Sequence, residues 1–172
     1  MSIPPNQVLI TPVGATSFQE AVVKGVSEIV RVVPTAPVDC KAQRVDTPDG
    51  SSHDVRIVVR PAATSCAALD VIVEPVRSVS ITVGNRGFFS LPDDVWDART
   101  QNVVTFALDI VRAVAEGKYT ETEWYRGGVL TTVRWRACLP SGDIGIRRTC
   151  VRRWLADFWR PRTVLTRSYG HY

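Results

Sequence analysis

Short segments of alternating polar and apolar residues constrain the fold of this chain more than any other feature. In residues 53–60, HDVRIVVR, valine and isoleucine recur at every second position, which is the period of a half-buried strand. Turn-forming sequences, PDG at 48–50 and GNRG at 84–87, separate such segments. The other segments of this kind are Gln43–Asp46, Leu69–Glu74, Ser78–Val83 and Phe88–Ser90. Their short spacing predicts an antiparallel meander.

Two amphipathic helices are predicted on either side of this strand region. Ser17 and Glu20 have the spacing of a capping box, and apolar residues then recur every three or four positions up to Pro34, which ends the helix. A second helix of about 22 residues is predicted from the acidic start at 92–94 to Gly117. We expect both helices to face the same sheet and to bury Val26, Ile29, Trp96, Val103, Ala107 and Ile110.

A β-hairpin is predicted around the glycine pair at 127–128, which suits a two-residue turn. If Arg126 pairs with Val129, then Glu121 lies directly opposite Arg134. This register predicts a cross-strand ladder of salt bridges on one face of the hairpin and an apolar opposite face. The residues of the predicted ladder are Glu121, Glu123, Arg134 and Arg136.

These elements together predict a single α+β domain over residues 16–172. Its mostly antiparallel sheet would carry the two amphipathic helices on one face. Residues 1–15, which include three prolines and a glycine, are expected to form an extended N-terminal arm. Residues 144–151 are predicted to form a further strand, and residues 152–172 a short helix followed by an edge strand.

Basic residues concentrate at the C-terminal end of the chain. Residues 1–125 carry 11 Lys or Arg and 15 Asp or Glu, a net charge of −4. Residues 126–172 carry 10 Arg, no Lys and two Asp, a net charge of +8. Because Arg pairs bidentately with carboxylates and phosphates, this asymmetry indicates an acidic counterpart. That counterpart is a protein, a nucleic acid or the acidic first part of the same chain.

Arginine and aromatic residues interleave near the C-terminus, and this pattern is typical of two kinds of binding surface. Basic grooves with aromatic platforms bind single-stranded nucleic acid, whereas Arg and Trp dominate the hot spots of protein–protein interfaces. A third interpretation is that the Trp rings belong to the core and the Arg stems lie over them. The candidate binding residues are Arg147, Arg148, Arg152, Arg153, Trp154, Trp159, Arg160 and Arg162.

Few residues of the sequence suit catalysis or metal binding. The four cysteines, at 40, 66, 138 and 150, lack zinc-type spacing, and the chain has two histidines. No glycine-rich phosphate-binding motif opens a helix. We therefore expect reduced cysteines, no metal and no cofactor. An enzyme in which Glu121 or Glu123 acts as a base is a further alternative, since two carboxylates on one strand face can do acid–base chemistry.

The sequence gives no sign of a membrane segment. No apolar stretch approaches the roughly 18 to 20 residues that span a bilayer. The first ten residues, MSIPPNQVLI, lack the basic and apolar regions of a signal peptide. We therefore expect no membrane association and a cytoplasmic location, while the oligomeric state stays open.

The stretch SITVGNRGFFSLPDDVW…FALDIVRAVAEGKYTETEW, between Ser80 and Trp124, resembles a segment of small uncharacterised actinobacterial α+β proteins. In these proteins a strand, an aromatic turn and an acidic helix start lead to a helix that ends in A-V-x-x-G. The ending WRPRTVLTRSYGHY is similar to their Arg- and Tyr-rich tails, so the resemblance covers about a third of the chain. Some of these proteins resemble immunity proteins that neutralise toxins, which implies a binding role.

These observations together predict a non-enzymatic cytoplasmic binding protein, with an immunity-like role implied by the resemblance. It would engage an acidic protein through the Arg-rich C-terminal segment. A nucleic-acid-binding accessory protein that uses the same basic and aromatic surface is the alternative, and the strand-carboxylate enzyme is another.

Overall fold

Antiparallel pairing in two sheets organises the structure, which is a computed structural model. It describes residues 9–33, 38–47, 50, 52–92, 102–149 and 161–172. Among these residues the helices are α1 (Ser17–Val32) and α2 (Val103–Ala115). The strands are β1 (Val38–Asp46), β2 (His53–Pro61), β3 (Leu69–Val73), β4 (Val79–Val83), β5 (Gly87–Leu91), β6 (Tyr119–Arg126), β7 (Val129–Leu139), β8 (Gly142–Thr149) and β9 (Arg162–Ser168). The predicted α+β class is confirmed, but the strands form two sheets instead of one.

The first sheet is a five-stranded antiparallel meander in the order β1-β2-β3-β4-β5, as the alternating segments predict. Val55, Ile57 and Val59 of β2 are fully buried because alternate side chains of a strand point to opposite faces. The same alternation on β3 and β4 extends this apolar layer across the sheet. One face of the meander therefore forms a wall of the core.

Helix α1 begins one residue earlier than its predicted capping box. Thr16, not Ser17, is the N-cap, and its hydroxyl accepts from the backbone N–H of Gln19 while the Gln19 side chain accepts from the backbone N–H of Thr16. Gln19 is fully buried, and its amide donates to the carbonyls of His53 and Val73, each at 3.0 Å. These bonds to the first sheet explain why Gln19, and not Glu20, completes the box.

Helix α2 is shorter than predicted and begins at Val103. Asn102 is its N-cap, with an extended ψ of 114° and a side chain that accepts from the N–H of Val104. Because a residue with that backbone interrupts a helix, a continuous helix from Pro92 through residue 102 is wrong. Among the residues expected to be buried, Val26, Ile29, Ala107 and Ile110 are buried, Val103 is half-buried, and Trp96 lies outside the described residues.

The two helices pack against each other where α1 carries a glycine. A Cβ atom on Gly25 would come within 2.3 Å of the side chain of Leu108 on α2, so a larger residue at position 25 would require that side chain to move. Helix α1 also contacts β1, and α2 contacts β4 of the first sheet and β7 of the second. That both helices cover one face of a sheet stays a prediction.

The second sheet has the order β8-β7-β6-β9, and its central hairpin has a register that differs from the prediction. Arg126 pairs with Val129 as expected, but a β-bulge at Trp124 and Tyr125 shifts the following pairs by one residue. The extra residue is Thr131, whose hydroxyl donates to the carbonyl of Trp124. A shift of one residue exchanges the faces of a strand relative to its neighbour, so the predicted Glu–Arg ladder is wrong.

The N-terminal segment is described only from Leu9 onwards, so the predicted boundary between an arm at 1–15 and a domain at 16–172 stays a prediction. Leu9 is buried, and its N–H donates to the hydroxyl of Ser27 on α1 at 3.2 Å. Neither of the described helices has the length and apolar character needed to cross a membrane.

Candidate functional site

The described part of the chain contains three of the eight predicted binding residues. Arg147 and Arg148 lie on β8, and Arg162 begins β9. All three are exposed. The remaining five, Arg152, Arg153, Trp154, Trp159 and Arg160, lie outside the described residues.

Trp124 on β6 is the point at which arginines from both edges of the second sheet meet. Strands β8 and β9 are the opposite edges of this sheet, yet the guanidinium of Arg147 lies 5.9 Å and that of Arg162 5.8 Å from the Trp124 ring centroid. Both distances are within cation–π range. The predicted register had placed Trp124 on an apolar face, so the sequence did not indicate this role.

Strand β7 adds two more arginines to the same face. Arg134 lies directly opposite Arg147 on β8 and opposite Thr122 on β6. Arg136 forms an ion pair with Asp143, which holds the pKa of that carboxyl below its usual value. Among the residues that the structure describes, Arg134 and Arg147 have no ion-pair partner. We call the surface formed by Trp124, Arg134, Arg136, Arg147 and Arg162 the basic face.

Arg148 lies on the opposite side of the sheet from Arg147. Its guanidinium is 5.0 Å from the ring centroid of Phe88 on β5 and 5.6 Å from that of Trp135 on β7. Consecutive strand residues point to opposite faces, so the pair Arg147–Arg148 divides between the basic face and the junction of the two sheets.

A buried carboxylate, Glu121, lies beneath the basic face and joins the two sheets. Its Oε1 atom accepts from the backbone N–H of Gly87 at 2.9 Å and from the hydroxyl of Tyr119 at 3.1 Å. Its Oε2 atom accepts from the hydroxyl of Tyr169 at 2.8 Å. Burial, together with this hydrogen bond, raises the pKa of Tyr169 to about 12, so that the phenol stays a donor at neutral pH.

Glu123, two residues further along β6, is the second buried carboxylate. Its side chain is 1% exposed, and it contacts Arg86 at 2.8 Å and Arg167 at 2.9 Å. The hydroxyl of Tyr125 donates to its Oε2 atom at 2.8 Å. Burial alone would raise the pKa of Glu123, but the hydrogen bond from Tyr125 and the contacts with Arg167 and Arg86 outweigh it and hold the pKa below its usual value.

We call Glu121 and Glu123, with the groups that contact them, the carboxylate cluster. Three of the four carboxylate oxygens accept a hydrogen bond, whereas Oε1 of Glu123 accepts none among the described residues and is held by the ion pair with Arg86. A general base needs an oxygen that can reach a substrate proton. Both side chains are buried, and their contacts fit an internal role that joins β6, β9 and the turn before β5.

The described cysteines are free thiols. Cys40 and Cys66 are buried and Cys138 is exposed, while Cys150 lies outside the described residues. Burial raises the pKa of Cys40 to about 12, which makes its thiol unreactive. In the described ranges no group of three or more His, Cys, Asp or Glu side chains is placed to hold a metal ion.

Comparisons of the chain with protein-family models, with curated proteins and with solved structures find no match. The resemblance to small actinobacterial and immunity-like proteins therefore stays a hypothesis. The basic face and the carboxylate cluster are the two features of the described residues that bear on function.

Proposed function

We propose that this chain is a non-enzymatic binding protein whose basic face engages an acidic protein partner. The observation that carries the proposal is the meeting of Arg147 and Arg162 at Trp124, beside Arg134, which has no ion-pair partner in the described part of the chain. Arginine and tryptophan are the residue types that contribute most to protein–protein hot spots. A surface of this kind attracts carboxylates both by charge and by bidentate hydrogen bonding.

The like charges on adjacent strands support this proposal. Arg134 and Arg147 lie directly opposite each other, and a pair of like charges in that position destabilises a sheet. An acidic side chain from a partner would neutralise both guanidiniums at once. Binding of an anion would therefore offset the cost of this arrangement.

The described residues of the basic face include few aromatic rings, and this favours a protein partner over nucleic acid. Sheets that bind single strands stack two or three bases on exposed aromatic rings. Here Trp124 is half-buried, and its ring already lies near two guanidiniums. The threonines around it, Thr122 and Thr166, offer hydroxyl groups but no stacking platform.

The same proposal includes five further binding residues that lie outside the described part of the chain, Arg152, Arg153, Trp154, Trp159 and Arg160. The partner would then be an acidic protein such as the toxin that an immunity protein neutralises, and the location would be the cytoplasm. The acidic character of the partner is supported by the charge of +8 on residues 126–172.

Binding of two labelled probes at several salt concentrations tests the proposed function. The probes are a glutamate-rich peptide and an oligothymidine of similar length. We expect the peptide to bind the wild-type protein and the variant R134T/R147T to lose that binding. The matched control K41T/R60T removes two positive charges from strands of the first sheet and should bind as the wild type does.

Two results would contradict the proposal. One is equal peptide binding by R134T/R147T and by the control, since the basic face would then not be the site. The other is tighter binding of oligothymidine with a steep loss of affinity as salt rises, which is the signature of phosphate contacts. That second result would assign the basic face to nucleic acid.

A further inference from the structure

The outer edge of β9 has backbone groups that no described residue pairs with. Strand β9 pairs with β6 on one side only. Backbone N–H groups donate from Tyr169 to Tyr119 and from Gly127 to Pro161, just beyond the two ends of this pairing. Hydrogen-bonded pairs alternate along an antiparallel ladder, so odd-numbered residues of β9 face β6. The N–H and C=O groups of Arg162, Val164, Thr166 and Ser168 therefore point away from the sheet.

The apolar side chains of β9 are exposed to solvent. Val164 is 48% and Leu165 is 43% exposed, and they lie on opposite faces of β9. A long exposed edge with apolar side chains is a template for another strand, and proteins usually protect such edges with bulges, prolines or a covering segment. No bulge or proline interrupts β9.

The charge of β9 indicates which kind of strand can bind to its open edge. Arg162 and Arg167 are the only charged residues of β9, and Arg162 lies opposite Arg126 on β6. Arg167 already pairs with Glu123, which leaves Arg162 as the charge that a bound strand would meet. A second copy of this chain would bring its own Arg162 against the edge, so self-pairing is opposed by charge repulsion. An extended segment with acidic side chains would instead add backbone hydrogen bonds and neutralise Arg162.

We propose that β9 binds an extended acidic segment of the partner protein as an additional antiparallel or parallel strand. This proposal rests on the proposed function, because the added strand would lie beside the basic face and present acidic side chains to it. Main-chain hydrogen bonds would supply the affinity, and alternate side chains of the segment would contact Val164 on one face and Leu165 on the other.

Hydrogen exchange in the free protein gives the first test. We expect the amides of Val164 and Thr166 to exchange quickly and those of Leu165 and Arg167 to exchange slowly, because only the latter pair with β6. Slow exchange of Val164 and Thr166 in the monomer would mean that another part of the chain already covers the edge, and it would overturn the proposal.

Binding of a peptide with alternating valine and glutamate gives the second test. A control peptide in which every valine and glutamate is N-methylated has the same charge but lacks the N–H groups that a ladder needs. The variant T166P removes an outward N–H without breaking a backbone bond to β6, and an edge strand tolerates proline in that position. The hydroxyl contact with Thr122 is lost equally in T166P and in T166A. We expect T166P to weaken binding of the valine peptide by about tenfold or more, since it removes one hydrogen bond and blocks close approach. The matched variant T166A keeps the N–H and should bind as the wild type does.

The outcomes separate this proposal from the proposed function. Equal binding of both peptides, unaffected by T166P but lost in R134T/R147T, would overturn the edge proposal and leave the basic face as the site. No binding of either peptide at low salt would overturn both. A concentration-dependent dimer of the wild type that T166P dissociates would assign the edge to a second copy of the chain and would also overturn the proposal.

Discussion

Glu123 on β6 and Arg167 on β9 form a diagonal ion pair across two strands of the second sheet, with 2.9 Å between Oε2 and Nη1. In the strand register Glu123 lies opposite Leu165, and Arg167 lies opposite Glu121. The other oxygen of Glu123 contacts Arg86, in the turn before β5 of the first sheet. One buried carboxylate thus joins three segments that are distant in sequence.

Replacement of Glu123 by Gln is expected to lower the free energy of unfolding by about 2 kcal/mol, because it removes the counter-charge of two guanidiniums while keeping the side-chain volume. The loss stays below that of a fully buried pair because Arg86 and Arg167 are 48% and 37% exposed. Urea denaturation of the wild type and of the Glu123→Gln variant measures this loss of unfolding free energy. The control Glu116→Gln breaks a surface pair with Lys118 and should cost less than about 0.5 kcal/mol. Equal losses would show that Glu123 contributes no more than a surface charge.

Acidification should remove the contribution of Glu123 to stability. Its pKa in the folded protein is below its ordinary value, so the folded state binds fewer protons than the unfolded state in this range. The contribution is therefore complete above the unfolded pKa of about 4.3, and it is lost as the pH falls through the lower folded value. Urea denaturation at a series of pH values should show a stability difference between wild type and E123Q that shrinks at acid pH. A difference that grows on acidification would contradict the direction of the pKa shift.

Variants at the adjacent residues Thr16 and Ser17 test which of them is the N-cap of α1. Thr16→Ala should destabilise the protein by about 1 kcal/mol, because it removes the side-chain acceptor for the N–H of Gln19. Ser17→Ala, at an exposed first helical position, should change stability by less than about 0.5 kcal/mol. Thermal melts of the two variants compare them directly. A larger loss for Ser17→Ala would favour the cap that the sequence alone predicts.

The elements that the sequence predicts well depend on local patterns. The period-two segments of the meander and the glycine pair at 127–128 are recognisable from neighbouring residues, and the structure confirms both. The cap of α1 was misplaced by one residue because Thr16 and Ser17 both suit the position. Only the bonds from Gln19 to the first sheet decide between them, and these join residues up to 54 positions apart.

The register of the hairpin could not be predicted for the same reason. A Glu–Arg ladder on the surface has the lower free energy if only β6 and β7 are considered. The bulge at Thr131 instead turns Glu121 and Glu123 inward, where groups from the turn before β5, from β9 and from Tyr169 contact them. It also turns Trp124 outward with Arg134. The candidate site therefore depends on contacts that no local pattern contains.

Arg134→Thr should separate stability from binding. Arg134 and Arg147 lie directly opposite each other, so removing one like charge relieves a repulsion, and threonine suits a strand. We expect the melting temperature at low salt to stay unchanged or to rise, while binding of the glutamate-rich peptide falls. Arg136→Thr is the matched control on the same strand and face, because it breaks the ion pair with Asp143 and should lower stability slightly. Raising the salt concentration should reduce the change in melting temperature of both variants, since the Arg134–Arg147 repulsion and the Arg136–Asp143 ion pair are interactions between exposed charges. A clear loss of stability in Arg134→Thr would mean that this arginine supports the fold, and the like-charge pair would then give no evidence for an acidic partner.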